Sequence, residues 1–201
     1  MGYAAYCFDF CGGSVLGLGK SDGPTTEMSV LTGVSDLEAV IEYVQGLPYT
    51  GDELLLMGCS QGGLVSALTA AKHPDMVSRL VLFYPALCIP DDARAGRMMF
   101  AKFDPANIPE MINCRPMKLG RCYAADVIGM NPFAEITPYC GPVLIVHGTK
   151  DRIVNPEYSV CAQEAYANAS LHIVEGGGHG FRGKHDEEAI GHLQEFATIE
   201  I

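Results

Sequence analysis

The chain has 201 residues, 48% of them hydrophobic, enough to bury one substantial core, so a single domain over residues 1–201 is the expectation. Its formal charge of −11, with no cluster of Lys or Arg, argues against nucleic acid and anionic membrane as partners, since both need positive charge to displace counterions, and no membrane partner is expected. No run approaches the roughly 18 apolar residues of a spanning helix, and the start Met1-Gly2-Tyr3-Ala4-Ala5-Tyr6-Cys7 lacks a basic region and a cleavage site, so a cytoplasmic protein is expected.

Tyr3–Phe10 (YAAYCFDF) reads as a strand, followed by a glycine-rich loop through Gly23. From about Ser29 to Gln45, residues Val30, Leu31, Val34, Leu37, Val40, Ile41 and Val44 recur at helical spacing, and Gly46 and Pro48 stop the helix. Glu53–Met57 (ELLLM) is short and nearly all apolar, as a strand covered on both faces must be. A helix follows from Gly62 to about Lys72, and Leu80–Tyr84 is a second buried strand, ended by Pro85.

From about Ala86 to Pro138 the rhythm breaks, in a stretch rich in Pro, Met and Arg with no clear apolar run. A structureless loop of that length does not fit a compact domain, so a small helical insertion acting as a cap or lid is expected. Its methionines, Met98, Met99, Met111, Met117 and Met130, either give a deformable apolar lining or fill the cap's own core. Beyond it, Val143–His147 (VLIVH) is a strand, and Asn155-Pro156 starts a helix reaching about Ala167. Leu171–Val174 is a strand and Glu187 to about Phe196 a closing helix. Strands alternating with helices give an α/β fold, a mostly parallel sheet with helices on both faces.

The eight cysteines include no C-x-x-C pair, and no His stands at zinc-finger spacing from two of them, so no metal is expected. Without a secretory signal they read as reduced, small core residues.

Chemistry begins at Gly58-Cys59-Ser60-Gln61-Gly62, a G-x-S-x-G between an apolar strand and a helix of small residues. That strand–turn–helix is what a nucleophile elbow requires: Ser60 is strained into exposing its Oγ, and the Gln61 N–H is aimed at the substrate oxygen. A hydroxyl needs a base to take its proton. Gly176-Gly177-Gly178-His179-Gly180-Phe181 follows the last predicted strand and offers His179, alone of six histidines in such a loop. His147 ends the strand VLIVH and reads as a structural hydrogen-bonder near the site. The acid that orients the base is expected on the loop His147-Gly148-Thr149-Lys150-Asp151, which supplies Asp151; the competing reading pairs Asp151 with Lys150 or Arg152 at the surface.

These blocks carry a resemblance. In the order FDF…GKSDG, MGCSQGG, PVLIVHGTKDRIV and LHIVEGGGHGF, the chain resembles the α/β-hydrolase superfamily. More narrowly, it is similar to the bacterial cinnamoyl/feruloyl-esterase-like and serine-aminopeptidase-like (S33) hydrolases, including the cap segment KFDPANIPE. The resemblance implies cleavage of carboxylic esters through an acyl-Ser60 intermediate, with no cofactor. A small-molecule ester is the implied partner, and a homodimer is compatible with that chemistry. It also implies that cap residues Glu110 and Tyr123 contact the substrate.

Two departures stand out. Cys59 occupies the place where these families commonly have His, and the Cys11–Gly19 loop is longer than the usual short turn. Family members also precede the FDF strand with about three strands and a His-Gly loop that donates the second oxyanion hydrogen bond, so an N-terminally truncated chain is the expectation. A rival register makes YAAYCFDF the missing strand and Cys11-Gly12-Gly13 the oxyanion loop. Three functions stay open: an esterase on small acyl or hydroxycinnamoyl esters, an S33-type aminopeptidase, and a catalytically silent hydrolase-fold protein.

Overall fold

A computed structural model describes residues 2–12, 21–114 and 117–198. In chain order the elements begin with α1 (Val30–Gln45), β1 (Leu55–Cys59), α2 (Gln61–Lys72) and β2 (Arg79–Phe83). The insertion holds α3 (Ile89–Arg94), β3 (Arg97–Met98), β4 (Ala101–Lys102), β5 (Met111–Cys114), β6 (Met117–Gly120) and α4 (Cys122–Ala125). Then come α5 (Pro132–Glu135), β7 (Val143–Gly148), α6 (Glu157–Ala165), β8 (Ala169–Val174) and α7 (Lys184–Thr198). These fall into two compact units: one built on Gly51–Leu87 and Pro132–Ile201, the other on Ala4–Thr50 and Cys88–Asn131.

The first unit contains one parallel sheet in the order β1-β2-β7-β8. Every residue of the two inner strands β2 and β7 is buried, and apart from Arg79 and His147 both are apolar with no polar alternation. Helix α2 packs on β1 and β2, while α6 and α7 pack on β7 and β8. One face of the sheet closes a core of Val81, Phe83, Leu144, Val146 and Val174 with Ala189 and Phe196 of α7. Because all four strands run the same way, their carboxyl ends share one edge of the layer. In open α/β sheets that edge is where ligands bind.

In the second unit, α1 starts on a reciprocal cap: Ser29 Oγ accepts from the Thr32 amide (3.1 Å) and Thr32 Oγ1 from the Ser29 amide (2.8 Å). The helix buries Val30, Val34, Leu37 and Ile41 of the stripe its sequence spacing predicts, together with Gly33, while Leu31 is exposed and Val40 and Val44 are half-buried. The insertion has the expected helices and also two antiparallel hairpins, β3–β4 and β5–β6. Its methionines divide: Met98 is buried, whereas Met99 and Met111 are exposed.

One expected element is absent. Residues 3–10 form no strand, and most of their side chains are exposed. A strand exists through a ladder partner, and no described segment pairs with this one, so its β-forming composition has nothing to act on. The loop Cys11–Gly19 lies mostly outside the described residues, which also excludes Gly13 of the rival register. Among the described residues no helix is long and apolar enough to cross a membrane.

Candidate active site

Ser60 sits between the last residue of β1 and the first of α2 with φ 54° and ψ −123°, a left-handed conformation that non-glycine residues avoid. Such strain costs about 1–3 kcal/mol and persists only when the surroundings over-determine it. Here they do. The Ser60 amide donates to the Phe83 carbonyl (3.0 Å), while the Ser60 carbonyl accepts from Gly63 (2.9 Å) and Ala86 (2.8 Å). The flanking glycines are sterically required: a Cβ on Gly58 would lie 2.2 Å from the Gly62 carbonyl oxygen, and one on Gly63 would lie 2.9 Å from Pro85 Cα. Gln61 opens α2, so its amide belongs to the first turn, where N–H groups point out of the helix toward an anionic partner.

His179 and Asp151 come to Ser60 from the loops after β8 and β7. His179 Nε2 lies 3.0 Å from Ser60 Oγ, and His179 Nδ1 lies 2.8 Å from Asp151 Oδ2. The other carboxylate oxygen, Oδ1, accepts the amides of Ile153 (2.8 Å) and Val154 (3.0 Å). The Asp151 side chain is fully buried, facing these partners and not Lys150 or Arg152 in a surface pair. Burial works to raise its pKa, but the amides of Val154 and Ile153 and the His179 ring outweigh that, and the carboxyl lies below its ordinary value. It is therefore an anion beside the imidazole at neutral pH.

The two loops are fastened to each other through glycine backbone. Gly148 ends β7 so close to Gly177 that a Cβ on it would lie 2.3 Å from the Gly177 carbonyl oxygen, the same oxygen that accepts the Lys150 amide (2.8 Å). Thr149 continues the lacing: its amide donates to Val174 (3.1 Å), and its Oγ1 accepts from Gly176 (2.8 Å). The glycines of GGGHG thus act by close approach as well as by turning, since Gly176 and Gly180 have positive φ.

Two neighbours complete the site. Tyr84 directly follows β2 with φ 38°, and its ring packs on His179 (centroids 4.7 Å) and Phe181 (5.1 Å). Its hydroxyl hydrogen-bonds Cys59, and burial together with that thiol raises the hydroxyl's pKa far above the ordinary range. Nothing in the sequence singles Tyr84 out, because its role comes from a strained backbone that no motif announces. The second neighbour is His147, wholly buried behind Asp151, with Nε2 at 3.2 Å from Asp151 Oδ2.

The two cap residues lie in the other compact unit. Glu110 is exposed and pairs with Arg121 (3.4 Å), and their backbones also bond next to the β5–β6 hairpin. Tyr123, on α4, is buried beside Cys114 and Cys88, a placement that serves the cap's own core. No group of three or more His, Cys, Asp or Glu able to hold a metal ion occurs among the described residues.

Residues 1–115, more than half the chain and including Ser60 with its preceding strand, match the family described as serine aminopeptidase, S33. The chain belongs to this S33 family. Its fold agrees with that assignment. Est1E from Butyrivibrio proteoclasticus, solved with ferulic acid bound, is 30% identical, with 94% of this chain and 74% of that chain covered at a TM-score of 0.85. A monoacylglycerol lipase of Paleococcus ferrophilus is 20% identical, covering 89% and 79% at 0.66. The esterase domain of a Rhodothermus marinus protein is 19% identical, covering 88% and 71% at 0.62. The last two share the fold. Among curated protein sequences none matches. This S33 member is therefore an α/β-hydrolase whose structural relatives are esterases and lipases.

Proposed function

We propose that the protein is a serine carboxylester hydrolase acting on small acyl or hydroxycinnamoyl esters through an acyl-Ser60 intermediate. The observation that carries this is the unbroken chain Ser60 Oγ–His179–Asp151, with contacts of 3.0 and 2.8 Å. In the first step His179 Nε2 takes the Ser60 proton as Oγ attacks the ester carbonyl, and Asp151 stabilises the imidazolium that forms. The Gln61 amide donates to the developing oxyanion, a contribution worth about 3–4 kcal/mol of barrier for one donor. The imidazolium then protonates the leaving alcohol. Water, deprotonated by the same nitrogen, frees the acid and restores Ser60.

Ferulic acid in Est1E supports the hydroxycinnamoyl class, since that relative is alike over 94% of this chain. Glu110 has the exposure a substrate contact needs, whereas the burial of Tyr123 favours a structural role.

The test is a fluorophosphonate probe read by intact mass, with p-nitrophenyl acetate, methyl ferulate and an aminoacyl anilide as substrates. One adduct on the wild type, none on Ser60→Ala, and turnover of the esters over the anilide is the expected result. Equal labelling of Ser60→Ala, or no labelling of either, would overturn the enzymatic reading; faster anilide cleavage would make the protein a peptidase.

A further inference from the structure

Behind the acid lies a group that the proposed mechanism does not use. His147, near the end of β7, and Ser159, on α6, are both wholly buried. His147 Nδ1 is 2.6 Å from Ser159 Oγ, and its Nε2 is 3.2 Å from both Asp151 Oδ2 and the Val154 carbonyl oxygen. The two nitrogens face opposite requirements. The partners of Nε2 are a carboxylate and a carbonyl, which only accept, so Nε2 carries the hydrogen. A neutral ring then leaves Nδ1 as an acceptor, and the Ser159 hydroxyl donates to it. Burial favours that neutral ring, pushing the imidazole below its ordinary pKa although the Asp151 carboxylate works the other way.

We infer that His147 is a positioning residue for catalysis: its Nε2–H, locked in that tautomer by Ser159, pins the Asp151 carboxylate against the His179 ring. This rests on the serine-hydrolase reading above. With it, Asp151 receives four N–H groups, from Ile153 and Val154 on Oδ1 and from His179 and His147 on Oδ2. The carboxylate has no freedom to rotate its Oδ2 away from His179. In the cycle His147 neither gains nor loses a proton. The proton leaving Ser60 stops on His179 Nε2, and the His147 donor keeps Asp151 from taking the Nδ1 proton as well. A helix outside the reacting groups, α6, thereby sets the orientation of the base three hydrogen bonds away.

The arrangement makes two substitutions unequal. In His147→Gln the side-chain amide nitrogen falls where Nε2 was and can still donate to Asp151. In His147→Asn the shorter amide reaches only toward Ser159. For p-nitrophenyl acetate, kcat/KM should fall about ten- to a hundredfold in His147→Asn, the loss of one charge-assisted hydrogen bond. The acid limb of its pH–rate profile should move up, because an Asp151 stripped of one donor holds the His179 proton harder. His147→Gln should recover most of the rate and return the limb to its wild-type position. Equal losses in both variants with an unmoved limb would reduce His147 to packing and overturn the inference, as would wild-type rates in His147→Asn.

Should either variant not fold, nitrogen-15 NMR of the wild type decides the same point. His147 is expected as the neutral Nε2–H tautomer at pH 7, and an Nδ1–H tautomer or a cation at that pH overturns the inference. If the wild type takes no fluorophosphonate, the hydrolase reading fails and this one with it. If the wild type is labelled and His147→Asn is labelled at the same rate, only the role of His147 fails.

Discussion

Gly148 and Gly177 meet backbone to backbone, the first ending β7 and the second lying in the loop that carries His179. A Cβ on Gly148 would stand 2.3 Å from the Gly177 carbonyl oxygen, a contact that rigid backbone cannot relieve. Gly148→Ala should therefore cost about 1–3 kcal/mol of stability and shift the His179 loop, lowering kcat/KM as well. Gly191, inside α7, has open space where its Cβ would be. Gly191→Ala should raise stability by about 0.5–1 kcal/mol. Urea melts of both variants check the pair, and a harmless Gly148→Ala would refute the close approach.

Asp151→Asn should lower kcat by about four orders of magnitude, because an amide nitrogen in place of Oδ2 meets donors and favours the wrong tautomer of His179. Stopped-flow acylation with p-nitrophenyl acetate measures it. A loss under tenfold would remove Asp151 from the proposed mechanism.

Tyr84 should act through its ring and not through its hydroxyl. Its ring lies 4.7 Å from that of His179, and an aromatic contact of this kind is worth about 0.5–1.5 kcal/mol. Tyr84→Ala should lose about three- to tenfold in kcat, and Tyr84→Phe much less. Should Tyr84→Phe lose as much as Tyr84→Ala, the hydroxyl bonded to Cys59 would be the part that matters.

Stability should fall as the solution is acidified. His147 and His172 both titrate below the ordinary histidine value in the folded protein: burial leads in each case, and for His172 the stacked ring of His192 at 3.9 Å adds to it against the pull of Glu195. The unfolded chain then binds more protons, so this stability is fully present above about pH 6.5 and is lost as pH falls below it. Denaturant midpoints at pH 7.5, 6.5 and 5.5 should decrease in that order, and His172→Phe should flatten part of the slope. A midpoint rising toward pH 5.5 would contradict the assignment.

What could be read in the sequence follows a physical division. The meeting of Ser60, His179 and Asp151 was legible because each sits in a local pattern with a steric or topological reason: a strand–turn–helix, a glycine loop after a strand, and a loop one strand earlier. Strands β2 and β7 were legible because burial on both faces leaves an apolar run, and α1 because its stripe has helical spacing. Residues 3–10 misled because a β-forming composition does not specify a ladder partner. The hairpins of the insertion were missed for a related reason: their strands are only two residues long in β3 and β4 and four in β5 and β6, too short for a period to stand out, and cross-strand pairing sets them. The locked tautomer of His147 and the ring of Tyr84 depend on residues far apart in the chain, so no reading of neighbours could reveal them.

The left-handed turn at Ser60 has a consequence for anyone who engineers this protein. Glycine adopts that conformation freely, whereas serine is held there against its preference. A search for heat-resistant variants that ignored turnover would find Ser60→Gly among its early winners. On the acyl-Ser60 mechanism proposed above, it would deliver a sturdier and inert molecule. Durability and that proposed reactivity then select opposite residues at this one position, and any stabilisation campaign has to screen for both at once.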